Sequence, residues 1–339
     1  MGLKHPIENG VISNWEDMEE IWTHIFHELH ATFEEHPVLV TDCPSHSDED
    51  REEMARWMFC NNVPALAIIT AAELALYASN RTTGIVIDFG CNVTHVVPIY
   101  DGAIVKDAVQ KLDIGGKDLT GYLIKLLMEE RGYAITTNGE IKIVETEVKE
   151  KWAYVALDFE QEMRDAAVAR LDFEKDIRMP KSWEPETLKV GSELWVSNKL
   201  YLLFDHSDPL SRSFQISEAL FKPALLERES PGIHEMIYDA ITRCGTDIQS
   251  QMWGNVVLTG GTSMLRGLAD RLEKELGTLA PPSTIVGIVA PEDGRNNAWK
   301  AGSIIADQST RPIWWTKGEY EEFGQGLVHH KRTSTLAGI

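Results

Sequence analysis

The chain has 339 residues, enough for two packed cores, and its 43% hydrophobic and 25% charged content is that of an ordinary soluble globular protein. Its formal charge of −21 argues against a surface for nucleic-acid backbones or anionic membranes and favours basic partner faces. Cys43, Cys60, Cys91 and Cys244 are too widely and irregularly spaced for a zinc site or a disulfide framework, which predicts a reducing, intracellular setting.

A Ser13/Asn14 cap with Glu16 and Asp17 in the first turn predicts a helix that places Trp15, Met18, Ile21, Trp22, Ile25 and Leu29 on one buried face. A strand over Val38 to Thr41 follows, then a helix capped by Ser47 whose first turn holds Asp48, Glu49 and Asp50. The longest apolar stretch, Val63 to Ala78, is interrupted by Glu73 and too short to span a bilayer, so no membrane insertion is expected. No signal peptide precedes the first helix, and Pro6 stands where a myristoylation motif needs Ser or Thr.

Two β-branched runs, Ile85 to Asp88 and Val93 to Tyr100, flank Phe89-Gly90-Cys91-Asn92 and predict a hairpin. Its tip offers backbone N–H groups for a phosphate, and Asp88 stands where a hydrated metal-phosphate can be held through water. Asp-x-Gly is equally an ordinary hairpin turn. A helix from Asp118 to Arg131 turns Leu119, Tyr122, Leu123, Leu126 and Leu127 inward with Gly132 after its end, and a longer one runs from Glu147 to Arg170. The region from Leu171 to Phe214, rich in Trp, Pro, Ser and charge, reads as strands with an inserted loop. Val256-Val257-Leu258 is a buried strand feeding Thr259-Gly260-Gly261-Thr262 and a helix through Leu265, Leu268, Leu272 and Leu276, closed by Gly277. Such a glycine pair admits an anion or nucleotide to a helix N-terminus, or serves close packing only.

Four segments share their order and spacing with one family: Pro6-Ile7-Glu8-Asn9-Gly10-Val11-Ile12-Ser13-Asn14-Trp15-Glu16-Asp17-Met18-Glu19, Tyr77-Ala78-Ser79-Asn80-Arg81-Thr82-Thr83-Gly84-Ile85-Val86, Tyr154-Val155-Ala156-Leu157-Asp158-Phe159-Glu160-Gln161-Glu162-Met163 and Leu258-Thr259-Gly260-Gly261-Thr262. They resemble actin, and the resemblance extends from Pro6 to His329. It implies an α/β, two-lobed fold of the sugar kinase, heat-shock ATPase and actin type, here amino-terminally truncated. In that frame residues 1–79 with 297–339 form a remnant of the small domain, 80–114 with 229–296 the nucleotide-binding core, and 115–228 an outer lobe with an insertion near 171–213. The resemblance also implies slow ATP hydrolysis with magnesium, a reaction of placement and electrostatics. Asp88 takes the metal- and water-organising role and His95 that of the histidine that polarises the water. Gly90, Asn92, Lys149, Glu150, Gly260, Gly261, Thr262 and Arg295 match or nearly match the nucleotide-binding positions.

Departures from the actin pattern limit that chemistry. The family's first phosphate hairpin and its lysine have no counterpart between Gly2 and Ile85; the nearest strand, Val38 to Thr41, runs into Asp42-Cys43-Pro44-Ser45, where Pro44 removes a donor. Each lost charge-assisted hydrogen bond weakens phosphate binding by about 1.5–3 kcal/mol. Ala71 occupies the position of the water-positioning glutamine, a loss of ~10²–10⁴ in rate, and Glu73, two residues along the helix, faces elsewhere. Cys91 replaces an acidic residue, Asn92 a glycine whose left-handed conformation Asn tolerates, Arg295 a lysine and Leu265 a tyrosine. In the loop Ala224 to Glu229, Glu227 and Arg228 put charge where the family has an apolar filament contact, and Lys331 to Ile339 reads as a polar tail. The expectation is a cytoplasmic, cytoskeletal or complex-scaffolding protein, the nucleus left open, with weak or vestigial ATP or ADP binding. Its partners would be actin, actin-binding proteins or a multi-subunit complex; the alternative is an ATP-hydrolysing filament subunit.

Overall fold

The computed structural model describes residues 5–131, 133–168, 175–178, 187–190, 215–307 and 313–330. Strands β1 (Ile7–Glu8) and β2 (Val11–Ile12) pair through Asn9 and Gly10, both at positive φ, as a two-residue hairpin turn requires. Helix α1 (Trp15–Glu28) starts where Asn14 accepts from the Asp17 amide. Strand β3 (Val38–Asp42) leads to α2 (Asp48–Cys60), whose Ser47 and Asp50 form a capping box. Strand β4 (Ala65–Thr70) is followed at once by α3 (Ala71–Ala78). Strands β5 (Gly84–Phe89) and β6 (Thr94–Tyr100) form the expected hairpin, with Asp88 opposite His95. Short strands β7 (Ala103–Ile104) and β8 (Gln110–Leu112) then pair with β6.

Helix α4 (Gly116–Arg131) begins two residues before Asp118, whose carboxylate accepts from the Gly115 amide, and it buries Leu119, Tyr122, Leu123, Leu126 and Leu127 as expected. Gly132 lies outside the described residues. The single long helix expected from Glu147 to Arg170 is not formed. Instead α5 (Asn138–Ile143), a π-helical turn (Val144–Lys149) and the short α6 (Glu150–Trp152) end at Ala153 in extended backbone. Tyr154 then bridges to Arg266, the Val155 amide donates to the Arg266 carbonyl, and α7 (Phe159–Val168) restarts after Asp158 accepts from the Gln161 amide. Pairing of Tyr154 and Val155 with Arg266 overrides local helix propensity here. Within 171–214, β9 (Lys175–Arg178) and β10 (Thr187–Val190) pair antiparallel, and the remainder of the expected insertion lies outside the described residues.

The chain continues through α8 (Gln215–Glu218), α9 (Ile233–Arg243), α10 (Gln249–Gly254) and the buried β11 (Val256–Thr259). A 3-10 turn (Gly261–Met264) separates β11 from α11 (Leu268–Leu279), so Leu265 precedes the helix and Gly277 lies inside it, not at its end. Strand β12 (Ile288–Val289), α12 (Asn297–Asp307), β13 (Trp315–Thr316), α13 (Lys317–Phe323) and α14 (Leu327–His330) complete the fold.

Two sheets organise these elements. One has the order β13-β4-β3, with β3 and β4 parallel across the α2 crossover. Its core gathers Trp22, Trp57, Met54, Met58, Leu66 and Trp315. The other runs β12-β11-β5-β6-β7, with β8 also on β6. Its face of Ile85, Ile87, Val96 and Leu258 packs on α9 and α11. Its opposite face of Val86, Val97 and Val257 packs on Ala72, Ala75 and Leu76 of α3. Helices therefore cover both faces of a mixed sheet, in which β5, β11 and β12 run parallel and β6 to β8 pair antiparallel, a layered α/β arrangement. The buried face expected for α1 is only partly formed: Trp22 is buried, Trp15 and Met18 pack at the margin, and Ile21, Ile25 and Leu29 are 40%, 44% and 70% exposed. Trp22 meets Trp57 at 5.0 Å and Phe26 meets Phe33 at 4.0 Å, so the aromatic edge of the helix takes up the contact.

Candidate functional site around the β5–β6 hairpin

The hairpin tip is closed by the Gly90 amide donating to the Val93 carbonyl at 3.0 Å, and it docks on the start of α4. Gly116 N donates to the Gly90 carbonyl and Lys117 N to the Cys91 carbonyl, while Asn92 Nδ2 reaches the Ile7 carbonyl at 3.3 Å. Asn92 does not take the left-handed conformation that its place in the turn suggests. Beside the tip, Gly260 follows β11 at φ +87, and a Cβ there would lie 2.3 Å from the Phe89 carbonyl and 2.8 Å from Asp88 Oδ1. Only glycine permits this approach of two strands.

On one side of the tip several expected residues converge. A Cβ on Gly116 would lie 3.1 Å from Thr262 Oγ1 and 3.5 Å from Lys149 Nζ, which brings α4, the π-helical turn and the 3-10 turn together. Lys149 is buried, and its ammonium donates to the Gly116 carbonyl and to Thr120 Oγ1, both at 2.7 Å. Burial holds its pKa below the ordinary lysine value. Arg295 pairs with Glu150 at 2.9 Å, and its Nε lies 3.8 Å from where a Gly261 Cβ would stand. The glycines bring these backbones close together, with a cation and a carboxylate paired at the margin.

The other side is different. Asp88 is partly buried, and burial pushes its carboxyl up to about 6. His95 is 3% exposed, and burial, followed by the nearby Lys111, pushes it down to about 4, so the ring is neutral at pH 7. Its Nε2 lies 2.7 Å from Ser45 Oγ and 3.6 Å from Cys43 Sγ, both on the loop after β3. That loop is held by Asp42, which accepts from the Cys43 amide, Arg51 Nε and His46 Nδ1 at 2.8, 2.6 and 2.7 Å. Ala71 is the first residue of α3 and offers a methyl group. Glu73 is buried and turned back on its own cap, accepting from Thr70 N at 3.0 Å and Thr70 Oγ1 at 2.6 Å, so it cannot take the place of a residue at position 71. Among the described residues no group of three His, Cys, Asp or Glu side chains is arranged to hold a metal ion, and Asp88 brings a single carboxylate to the tip.

Sequence reasoning missed Ser45, Cys43 and Thr120. Thr120 lies one turn after Gly116 and marks the partner of a buried cation only once α4 is in place; nothing local links Ser45 to His95, 50 residues away. The loop Ala224 to Glu229 carries its charge outward. Glu227, at φ 58, lies 3.6 Å from Lys125 and Arg228 3.6 Å from Asp118, while Leu225 and Leu226 pack inward. No helix among the described residues is long and apolar enough to cross a membrane. The family model for actin matches residues 1–333, over the same mixed α/β architecture. The chain belongs to the actin family.

Proposed function

We propose that this actin-family chain is a cytoskeletal or complex-scaffolding protein of the cytoplasm, with an adenine-nucleotide site of weak affinity and no effective hydrolysis. The observation that carries the reading is the position of His95: Nε2 bonds Ser45 at 2.7 Å, with Ala71 at the place of a water-positioning side chain. In the site, Lys149, Glu150, Thr262 and Arg295 would hold base and sugar, with Gly260 and Gly261 admitting the nucleotide to the strand end. Gly90 and Asn92 would line the tip, and Asp88 would meet a magnesium ion through water. Bound ATP would supply a transferable phosphoryl group. The residues of this chain position the nucleoside and exclude bulk water, and His95, neutral and already paired, moves no proton. Residues 1–79 with 297–339, 80–114 with 229–296 and 115–228 would act as the parts of the frame, and partners would be actin, actin-binding proteins or subunits of a larger complex.

Calorimetric titration with ADP and ATP in magnesium tests the reading. The expected result is binding in the micromolar range or weaker, with ADP close to ATP, abolished by Lys149→Ala. Sub-micromolar ATP binding with a large preference over ADP would show that the phosphate side is intact and would overturn it. Filament formation is expected to fail as well, because Glu227 and Arg228 are charged and exposed where an apolar contact would need to be buried. Sedimentation at high protein concentration with ATP, magnesium and salt checks this, and two-stranded filaments from the protein alone would contradict it.

A further inference from the structure

We propose that the open side of α1 is a docking surface for a basic amphipathic helix of a partner protein. Ile21 and Ile25 of α1 and Leu29, its C-cap residue in right-handed helical backbone, follow one another at four-residue steps, which sets them in a single ridge about 12 Å long. They are 40%, 44% and 70% exposed. Exposed apolar residues scattered singly are ordinary, but three in register over two turns make a continuous strip. The fold cannot cover the strip by rolling the helix. Trp22 is locked against Trp57 at 5.0 Å and Phe26 against Phe33 at 4.0 Å, while Phe33 is itself packed on Trp57 at 5.4 Å, and a roll that buried Ile25 would break the two contacts that α1 makes.

Charge selects the occupant. Helix α1 contains Glu16, Asp17, Glu19, Glu20 and Glu28 and has no Lys or Arg. Glu28 stands one turn from Ile25 and Asp17 one turn from Ile21, so the ridge has an acidic border. The cation of α2 nearest to α1, Arg56, lies by Glu19 at 3.9 Å, on the other flank. A second copy of the chain would bring two acidic borders together, and an anionic bilayer would be repelled by the same groups. A helix with Leu or Ile at i, i+4 and i+7 and Lys or Arg beside them satisfies both features, its side chains settling between the α1 ridges. The surface uses no residue of the nucleotide site.

The test is fluorescence anisotropy at physiological salt with a labelled helical peptide of ~18 residues, Leu on one stripe and Lys elsewhere, and its Leu/Glu counterpart. Wild-type protein is expected to bind the Leu/Lys peptide and not the Leu/Glu one. The neutral double variant I25N/L29N is expected to bind it about tenfold more weakly. I285N/I304N, which changes exposed residues elsewhere in the same way, is expected to bind as wild type. E28Q is expected to weaken binding about twofold and to flatten its dependence on salt. Circular dichroism of each variant checks that the fold is kept. Absence of binding by wild type, or equal affinity for wild type and I25N/L29N, would overturn the proposal. So would sedimentation showing that the protein dimerises through this face, with I25N/L29N monomeric.

Discussion

On one side of the hairpin tip Lys149, Gly116, Thr120 and Thr262 are gathered by contacts to one another, with Glu150 and Arg295 closing the rim. On the other side the ring nitrogen of His95 is committed to Ser45, in a loop of the other sheet. The first arrangement holds a buried cation between the start of α4 and the 3-10 turn, ordered by the Gly116 carbonyl and the Thr120 hydroxyl. The second turns a polar group that a reaction would need into a tie between the loop after β3 and strand β6. A buried histidine needs a partner, and here a serine hydroxyl supplies it.

The sharpest way to break this comparison is at Gly260, where both halves meet. Gly260→Ala forces a side chain at φ +87 against the Phe89 carbonyl, and a loss of about 3 kcal/mol or more in urea unfolding is expected. A variant as stable as wild type would mean that β11 does not approach the tip so closely. Next in size is Lys149→Met, which leaves the Gly116 carbonyl and Thr120 hydroxyl without their donor and is expected to cost about 2–3 kcal/mol. Adding Thr120→Val should restore part of that loss; a further loss would show that the ammonium is not held as described.

The acid dependence of stability separates the two residues of the other side. His95 is pushed down to about 4, so it contributes stability fully above its ordinary value of about 6.5, and loses it as pH falls towards 4. Asp88 is pushed up to about 6, so its burial is without cost below about 4 and costs most above 6. The two trends oppose each other between pH 4 and 6.5. Relative to wild type, His95→Gln is expected to gain about 2–3 kcal/mol on acidification across that window. Asp88→Asn is expected to lose about 1–2 kcal/mol, less because Asp88 is partly exposed. Urea midpoints at four pH values would show it; parallel curves for all three proteins would contradict the burial of both groups. The smallest effect is at the rim. Arg295→Ala breaks a pair that is half in solvent and should change stability by less than about 1 kcal/mol, yet weaken ADP binding measurably in the same calorimeter.

Much of this was legible in the sequence, for reasons that differ by element. The β5–β6 hairpin shows because β-branched residues run to both sides of a short turn, and α4 shows because its five inward residues keep helical spacing. The break at Ala153 was hidden by helix-forming residues on either side, although Asp158 and Gln161 are the first and fourth positions of a cap that could have marked it. The face of α1 was overestimated because the apolar arc is wider than the aromatic contact that the fold supplies. Lys149, Glu150, Thr262 and Arg295, which the resemblance names, lie near one another in the structure, whereas the commitment of His95 to Ser45 depends on how two sheets meet and leaves no local trace.

The central claim is that His95 binds structure and not a reacting water. Release of inorganic phosphate from magnesium ATP, measured for wild type, His95→Ala and Asp88→Asn at saturating nucleotide, tests it most directly. Equal rates for all three, at the level of buffer, are the predicted result. A magnesium-dependent rate in the wild type that falls in both variants would contradict the account.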